Sequence, residues 1–221
     1  MLVKNWMTPQ VHTITTDTSM LKMGRMMKEH AIHRLPVVDD RRHVVGIVSD
    51  SDIRDASPSK ATTLGMHEMN YLLAELTAKD IMTARPLTVK PSDSVEKAAM
   101  LMLDNTVGGL PVVDDDGVLV GIITDHDVFK ALVNITGVRE GGLQIGVDVP
   151  NEQGAMRPVF DVIRSFKGRI LSVLSTNNQE GRRQVFVRIR PLDTKEEEEA
   201  LIAAVGEKAG LLYWSRREAE N

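Results

Sequence analysis

Hydrophobic and polar positions along the first part of the chain follow two periods, and these periods predict its secondary structure. Short apolar runs bounded by polar residues predict strands, and apolar residues spaced three and four apart predict a helix. A stripe of methionines on that helix is expected to pack in the core rather than to bind a metal or cofactor. The predicted strands are 11–15, 35–38 and 44–48, the helices begin at Met20 and Ser49, and the methionines are Met20, Met23, Met26 and Met27.

The same pattern returns 75 residues further along the chain. Residues 4–56 and 79–131 align without a gap, and 19 of the 53 aligned positions are identical. Each copy contains Leu-Pro-Val-Val-Asp-Asp, then a glycine, two aliphatic residues, a hydroxyl residue and an aspartate three positions after it. Two like units usually bury their faces against each other, so the repeat predicts a paired fold with a ligand site between the copies.

A different pattern follows residue 136 and predicts six elements in the order βαββαβ. This order gives an antiparallel sheet with two helices on one face. The acidic run 196–199 is expected to be a solvated first turn of the second helix, where the helix dipole favours anions. The predicted strands are 143–149, 169–176, 184–190 and 211–215, and the predicted helices are 156–166 and 194–207. The expected divisions are a first repeat (1–60), a linker (61–78) with a helix at 66–76, a second repeat (79–136) and a C-terminal domain (137–221).

Charge and composition argue against several classes of function. The chain has 27 Lys and Arg against 31 Asp and Glu, a net charge of −4, which argues against a nucleic-acid-binding surface. It has no cysteine, which excludes disulfides and thiolate metal sites and suits a reducing cytoplasm. No apolar run reaches the roughly 20 residues that span a bilayer, and the start lacks the apolar core of a signal peptide. We therefore expect a cytoplasmic protein without a membrane or nucleic-acid partner.

No catalytic constellation stands out in the sequence. There is no P-loop, no Gly-x-Gly-x-x-Gly and no Gly-x-Ser-x-Gly elbow. His30 and His33 lie three residues apart, but no carboxylate-rich helix nearby completes a metal site. The chain is expected to have no catalytic residues, no catalytic cofactor and no resident metal.

The two Gly-aliphatic-aliphatic-Ser/Thr-x-x-Asp segments resemble those of a tandem pair of CBS domains, also called a Bateman module. The resemblance covers residues 1–136, and the C-terminal element order resembles an ACT domain. The combination is similar to the acetoin-utilisation protein B family, which the segments 56–62, 69–73 and 79–82 also resemble. The resemblance implies an α+β fold with a CBS-domain pair of two βαββα repeats, followed by a ferredoxin-like βαββαβ ACT-type domain.

The resemblance implies a nucleotide site between the repeats. A carboxylate can accept hydrogen bonds from both hydroxyls of a ribose, and a Ser or Thr hydroxyl at a helix start can hold a phosphate together with free N–H groups. These roles fall on Ser49 with Asp52, closed by segments around Thr83 and Val107, and on Thr124 with Asp127, closed by segments around Thr8 and Ile32. The expected ligand is AMP, ADP or ATP, with Mg²⁺ conceivable beside ATP, and S-adenosylmethionine stays open as an alternative. The expected nucleotide-binding residues are Ser49, Asp52, Thr124, Asp127, His33, Arg34, Ile32, Val107, Gly108, Thr8 and Thr83.

The repeats differ where His33 and Arg34 in the first face Gly108 and Gly109 in the second. The histidine and arginine add one titratable and one permanent charge near the seam, whereas the glycines leave room for a base or for close backbone approach. A similar His-Arg pair contacts phosphates in the γ subunit of AMP-activated kinase, so we expect the nucleotide phosphates to lie towards His33 and Arg34. The alternative is that this pair is exposed on a turn.

The C-terminal domain and the function of the whole chain leave more alternatives open. The loop 150–156 resembles the amino-acid-binding loop of ACT domains through Asn151 and Gly154, but Gln153 stands where those loops carry a proline, and dimerisation is the alternative role. The expected function is a non-catalytic sensor in acetoin or central carbon metabolism, a homodimer that relays nucleotide binding to an unidentified partner enzyme. The rival is a structural assembly subunit that binds no nucleotide.

Overall fold

The computed structural model describes residues 1–57 and 75–219, and the chain divides into two compact units, Met1–Phe129 and Lys130–Asn221. The linker helix predicted at 66–76 lies outside the described residues except at its last two positions. Among the described residues, no helix has the length and apolar character needed to traverse a lipid bilayer. The two units are described separately below.

The first unit contains two copies of a helix, a hairpin and a second helix. In the first copy, α1 packs its methionine stripe inward, with Met20, Met23 and Met27 buried, which confirms the predicted core role of these residues. The strands form a three-stranded antiparallel sheet, β1-β2-β3, and a two-stranded sheet, β4-β5. The elements are α1 (Met20–His30), β1 (Arg34–Val38), β2 (Val44–Ser49), α2 (Asp50–Ala56), α3 (Ala78–Ile81), β3 (Thr83–Ala84), α4 (Val95–Asp104), β4 (Gly109–Val113), β5 (Leu119–Thr124) and α5 (Asp125–Ile135), after a 3₁₀ turn at Val3–Asn5. Helix α5 continues into the second unit, which begins at Lys130.

The repeats exchange their first extended segments. Strand β3 belongs to the second repeat but pairs with β2 of the first, with Thr83 opposite Ile47. In the same way, Thr8 of the first repeat forms an antiparallel bridge with Ile122 of β5, through two backbone hydrogen bonds of 2.9 and 3.0 Å. Because each repeat completes the sheet of the other, neither sheet is complete within one copy.

The glycine of each repeat motif makes room for this exchange. A Cβ at Gly121 would lie 2.6 Å from the Met7 sulfur and 3.1 Å from the Thr8 carbonyl oxygen, and a Cβ at Gly46 would overlap the Met82 sulfur. Met7 and Met82 are equivalent residues of the two copies, and each packs on the glycine of the opposite one. Close packing across the repeat interface therefore explains the glycines.

Replacing Gly121 with alanine is expected to destabilise the first unit by about 1–3 kcal/mol, because the methyl group overpacks the contact with Met7 and Thr8. Gly24→Ala is the matched control, since a Cβ there meets nothing within 4 Å and alanine favours the α1 helix by about 1 kcal/mol. Urea unfolding followed by Trp6 fluorescence in a Trp214→Phe background measures both variants. A Gly121→Ala protein as stable as the parent would contradict the packing argument.

The strand predicted at 11–15 is wrong. Only Ile14 pairs there, in a parallel bridge to Val37 built from Ile14 N–H to the Pro36 carbonyl (3.1 Å) and Val38 N–H to the Ile14 carbonyl (2.9 Å). Pro36 presents its carbonyl to this edge but has no N–H to donate, so the ladder cannot extend from Ile14 towards His12. The βαββα order of each repeat is correspondingly reduced, and its first strand is replaced by a single bridge.

The second unit is a four-stranded antiparallel sheet with helices in the order βαββαβ. The strand order is β7-β8-β6-β9, which places the first strand of this unit, β6, between the third and the fourth. The apolar face of β6 and β8 packs against α6 and α7 in one buried cluster. The elements are β6 (Gly142–Val149), α6 (Arg157–Ser165), β7 (Ile170–Asn177), β8 (Arg183–Ile189), α7 (Lys195–Gly206) and β9 (Gly210–Arg217), after a 3₁₀ turn at Val138–Glu140.

The acidic run 196–199 in the first turn of α7 is only partly the solvated helix start that the sequence predicts. Thr194 caps α7, and its hydroxyl oxygen accepts a hydrogen bond from the Glu197 N–H at 3.2 Å. Glu198, however, is 3 % exposed. It accepts a hydrogen bond from the Leu192 N–H (3.2 Å) and pairs with Arg216 at 3.4 Å. Glu198 is buried rather than solvated because its carboxylate has two partners, the Leu192 N–H and Arg216. These partners offset the cost of removing the charge from water.

Candidate functional site

Ser49 and Asp52 form a capping box at the junction of β2 and α2. The Asp52 Oδ2 accepts hydrogen bonds from the Ser49 N–H and hydroxyl, each at 2.7 Å. The Asp52 N–H donates to the Ser49 hydroxyl oxygen at 3.2 Å. The spacing of three residues produces this geometry because it returns the carboxylate to the free N–H groups at the helix start.

Thr124 and Asp127 repeat this arrangement at the junction of β5 and α5. The Asp127 Oδ2 accepts from the Thr124 N–H (2.9 Å) and hydroxyl (2.8 Å), and the Asp127 N–H lies 3.4 Å from the Thr124 hydroxyl oxygen. Asp127 is 6 % exposed, whereas Asp52 is half-buried. The two sites therefore share their hydrogen bonding but differ in accessibility.

The capping boxes limit what these side chains offer to a ligand. In each box the hydroxyl donates to the carboxylate, so the proton is already used and the hydroxyl has only acceptor capacity left for a new partner. The bonds within the boxes involve Oδ2 of each aspartate, and a carboxylate accepts through both of its oxygens. The arrangement can therefore accept ribose hydroxyls at the aspartates more readily than it can donate from Ser49 or Thr124 to a phosphate.

Thr8 and Thr83 lie in the two extended segments that the repeats exchange. Thr83 is next to Ile47, two residues before Ser49, and Thr8 is next to Ile122, two residues before Thr124. Both threonines are exposed. Each site thus has one strand segment from the opposite repeat beside it, as the sequence predicts.

The segments that precede β1 and β4 each lie beside the site of their own repeat, whereas the sequence predicted that each would close the site of the opposite repeat. The hairpin registers put Arg34 opposite Ser49 and Gly109 opposite Thr124. The Asp50 N–H donates to the His33 carbonyl at 3.0 Å, and the Asp125 N–H to the Gly108 carbonyl at 3.1 Å. Ile32 and His33 therefore adjoin Ser49, and Val107 and Gly108 adjoin Thr124, because each hairpin brings its own two ends together.

The Arg34 side chain, unlike that of His33, reaches the opposite repeat. A Cβ at Gly108 would overlap its guanidinium, and a Cβ at Gly109 would lie 3.1 Å from its Cδ. The space beside the glycines, which the sequence allowed for a base, thus holds a guanidinium. His33 instead lies 73 % exposed and 3.4 Å from Asp50.

Arg54 is a charged group of this site that the sequence reasoning missed, and its partner is Asp50. Arg54 donates to the Asp50 Oδ2 at 2.7 Å, beside His33. Partial burial raises the pKa of the Asp50 carboxyl, but the hydrogen bonds and positive charges of Arg54 and His33 outweigh it and hold this pKa below its ordinary value. An open cavity of about 300 Å³ adjoins these groups, with Lys28 and Ile32 in its lining. Comparing the repeats would have revealed the difference, since Phe129 replaces Arg54 in the second copy.

The model of the CBS domain family matches residues 3–59 and 78–134, which are the two repeats and together more than half of the chain. The chain belongs to the CBS domain family. The capping boxes thus lie at equivalent positions of two CBS repeats.

Three solved CBS proteins are similar to this chain. The crystal structure of CBSX2 from Arabidopsis thaliana in complex with AMP is 34 % identical, with a TM-score of 0.51, and the match covers 61 % of this chain and 97 % of that one. The CBS pair of MJ0100 in complex with 5′-methylthioadenosine and S-adenosyl-L-methionine is 28 % identical (TM-score 0.50; 60 % and 95 % covered). AcuB from Vibrio cholerae is 28 % identical (TM-score 0.52; 63 % and 96 % covered). The match to the whole curated CBSX2 protein spans 64 % of its length.

Two further expectations concern the loop with Asn151 and Gly154 and the presence of a metal site. Asn151 and Gly154 are both exposed, and Gly154 has φ +84° and lines a cavity of about 660 Å³ in the second unit, where Arg157, Arg164 and Arg183 also contribute. Among residues 1–57 and 75–219, no group of three or more histidines and carboxylates has the geometry to hold a metal ion.

Proposed function

We propose that this chain is a non-catalytic regulatory protein that binds an adenosine-containing ligand, AMP, ADP or ATP, between its two CBS repeats. One observation carries the proposal. Both strand–helix junctions keep a hydroxyl–carboxylate pair, each beside a strand segment of the opposite repeat. Asp52 and Asp127 would accept the ribose hydroxyls, and the backbone of the exchanged segments would face the base.

Similar proteins support the ligand class. CBSX2 is solved with AMP, and the CBS pair of MJ0100 with 5′-methylthioadenosine and S-adenosyl-L-methionine, so an adenosine group is common to both complexes. The half-buried Arg34 guanidinium favours a phosphorylated ligand here over the sulfonium of S-adenosylmethionine, because it attracts the first and repels the second. Mg²⁺ would accompany ATP, with the carboxylates of Asp50 and Asp125 within the same region.

Calorimetric titration of the full chain with AMP, ATP and S-adenosylmethionine tests this proposal. We expect heat from AMP or ATP and weaker or no heat from S-adenosylmethionine. No binding of any of the three ligands would contradict the proposal. Stronger binding of S-adenosylmethionine than of AMP would keep the adenosine site but contradict the part we assign to Arg34.

For the second unit, we propose a ferredoxin-like, ACT-type domain that joins two copies into a homodimer and relays the bound state to a partner enzyme. Its βαββαβ order and strand order β7-β8-β6-β9 support that fold. The loop with Asn151 and Gly154 would take an amino acid, whose carboxylate the nearby arginines attract.

The likeness to AcuB supports a place in acetoin or central carbon metabolism, and the lack of cysteine supports action in the cytoplasm. For regulation, the nucleotide must bind one conformation of the protein more tightly than another.

A second candidate function is a structural assembly subunit that binds no nucleotide. The observation in its favour is that each capping box satisfies its own hydroxyl and one carboxylate oxygen, so the motif has a structural role without any ligand. A purified protein that carries no adenosine compound but copurifies with an enzyme in constant ratio would favour this candidate.

A further inference from the structure

A row of polar side chains crosses one face of the sheet in the second unit. The strand registers set Arg188 of β8 opposite Gln144 of β6, and they bring Ser172 of β7 and Ser215 of β9 into line with this pair. Directly paired residues of antiparallel strands have their side chains on the same face. Ile145, the residue after Gln144, is buried in the cluster with the helices, so the row lies on the face opposite to α6 and α7.

Arg188, at the second position of this row, is buried. It is 6 % exposed, and a Cβ at Gly137 would lie 3.7 Å from its Cδ, so the chain before β6 covers part of the side chain. The guanidinium donates a hydrogen bond to the Gln144 side-chain oxygen. Its Nε is buried and has no hydrogen-bond partner within residues 1–57 and 75–219. A buried donor without a partner is unfavourable, and a buried charge without a counter-charge is more so.

Arg188 forms no ion pair with a carboxylate in the part of the chain that the structure describes. Two carboxylates of adjoining segments have arginine partners of their own. Asp148 of β6 pairs with Arg182, and Glu140 of the 3₁₀ turn pairs with Arg190 at 3.5 Å. The positive charge of Arg188 is therefore left without a negative partner from these segments.

A second cation acts on the buried guanidinium. Burial lowers the pKa of Arg188, the positive charge of Arg217 lowers it further, and Tyr213 raises it. Arg217 and Tyr213 lie on the edge strand β9, two residues on either side of Ser215, so their side chains share the face of the polar row. Both residues are exposed. A positively charged region that includes a buried arginine thus reaches solvent at the β9 edge.

Two aromatic rings adjoin this charged region. Phe186 and Tyr213 lie two residues from Arg188 and Ser215 along their strands, with ring centroids 6.1 Å apart. Gly146 between them makes room for the rings, since a Cβ there would lie 2.7 Å from the Tyr213 ring and 3.4 Å from the Phe186 ring. The same sheet face therefore offers cations next to an apolar surface.

We propose that this face of the second unit binds a small organic oxyanion, a carboxylate or a phosphate ester, with Arg188 as the main anion-binding group and Arg217 as a second cation. A guanidinium presents its N–H donors in a fork that matches two oxygens of a carboxylate or phosphate. The bound anion would give the Arg188 Nε an acceptor and reduce the repulsion between the two arginines, while its apolar part would lie on the rings. The site uses none of the residues assigned to the adenosine site or to the cavity beside Gly154.

An NMR titration of the full chain that follows the arginine Nε–H signals tests this site directly. Benzoate and phenyl phosphate are the probes, and they distinguish a carboxylate ligand from a phosphate ester; sodium chloride is the control for ionic strength. We expect the Arg188 Nε–H signal, identified by its loss in Arg188→Met, to shift and saturate with at least one probe. Two charge-assisted hydrogen bonds correspond to a dissociation constant of about 1 mM. No saturable shift with either probe at about 20 mM would overturn the inference.

Urea unfolding gives a second readout, followed by Trp214 fluorescence in a Trp6→Phe background. The parent is expected to gain stability from a bound probe, because a ligand of the folded state raises the unfolding midpoint. Arg188→Met should show no such gain. It should also be at least as stable as the parent without a probe, because it replaces a buried charge that lacks a counter-charge with an apolar group. A clear loss of stability would mean that the fold already compensates the guanidinium, and the inference would fail.

Arg183→Met is the matched control for Arg188→Met. Arg183 lies on the same strand but is exposed and lines the cavity beside Gly154. We expect this variant to keep the full gain in unfolding midpoint from the probe. A gain that persists in Arg188→Met and disappears in Arg183→Met would assign the anion to that cavity and overturn the site at Arg188.

Discussion

The double variant Asp52→Asn/Asp127→Asn is expected to bind AMP about 10- to 100-fold more weakly than the wild type. Each substitution removes the negative charge that accepts the ribose hydroxyls, and a hydrogen bond to a charged group contributes about 1.5–3 kcal/mol, or about one to two powers of ten in affinity. Asparagine is the better substitution here than alanine. Its side-chain oxygen still accepts from the N–H groups of Ser49 and Thr124, so the helix caps persist.

Asp80→Asn is the matched control for this variant. Asp80 forms the same box with Thr77 at the start of α3, with hydrogen bonds of 2.8 and 2.6 Å from the Thr77 N–H and hydroxyl, but it is outside the predicted site. We expect it to lose as little stability as each site variant and to bind AMP like the wild type. Equal AMP binding by the double variant and the wild type, measured by calorimetry, would show that neither aspartate holds the ligand.

Replacing Gly142 with alanine is expected to destabilise the second unit by about 2–5 kcal/mol. Gly142 opens β6 with φ +89°, and a Cβ there would overlap the backbone carbonyl oxygen of Ile189 on the neighbouring strand. Backbone strain at positive φ costs about 1–2 kcal/mol, and the clash adds an overpacking cost of about 1–3 kcal/mol that no side-chain rotation can relieve.

Gly181→Ala separates the two contributions. Gly181 has φ +75°, but a Cβ at this position meets nothing within 4 Å. We expect this control to lose only the backbone contribution of about 1–2 kcal/mol. Urea unfolding followed by Trp214 fluorescence in a Trp6→Phe background measures both. Equal losses for the two variants would refute the close approach of β6 and β8 at Gly142.

The internal repeat made much of the first unit predictable. The periodicity predicted α1 with its buried methionines, and the pattern of the repeat predicted the helix that opens at Ser49. Thr8 pairs with the second repeat and Thr83 with the first, as the sequence predicted. These features depend on local spacing and on the symmetry of the repeat, and both can be read from one sequence.

The features that the sequence did not predict depend on contacts between distant residues. The contact of Arg34 with Gly108 depends on how the two hairpins lie relative to each other. The spacing of residues along the chain does not determine that arrangement. The burial of Glu198 depends on the Leu192 N–H and on Arg216 of another strand. The short pairing at Ile14 depends on which edge of β1 the missing N–H of Pro36 faces. In each case the deciding partner is set by tertiary structure.

The central claim is that an adenosine ligand binds between the CBS repeats, and a crystal structure of the chain grown with AMP tests it most directly. We predict AMP in the cleft, with its ribose hydroxyls on Asp52 or Asp127 and its phosphate on Arg34. AMP bound only outside this cleft, or an empty cleft at an AMP concentration that saturates the chain in solution, would contradict the claim.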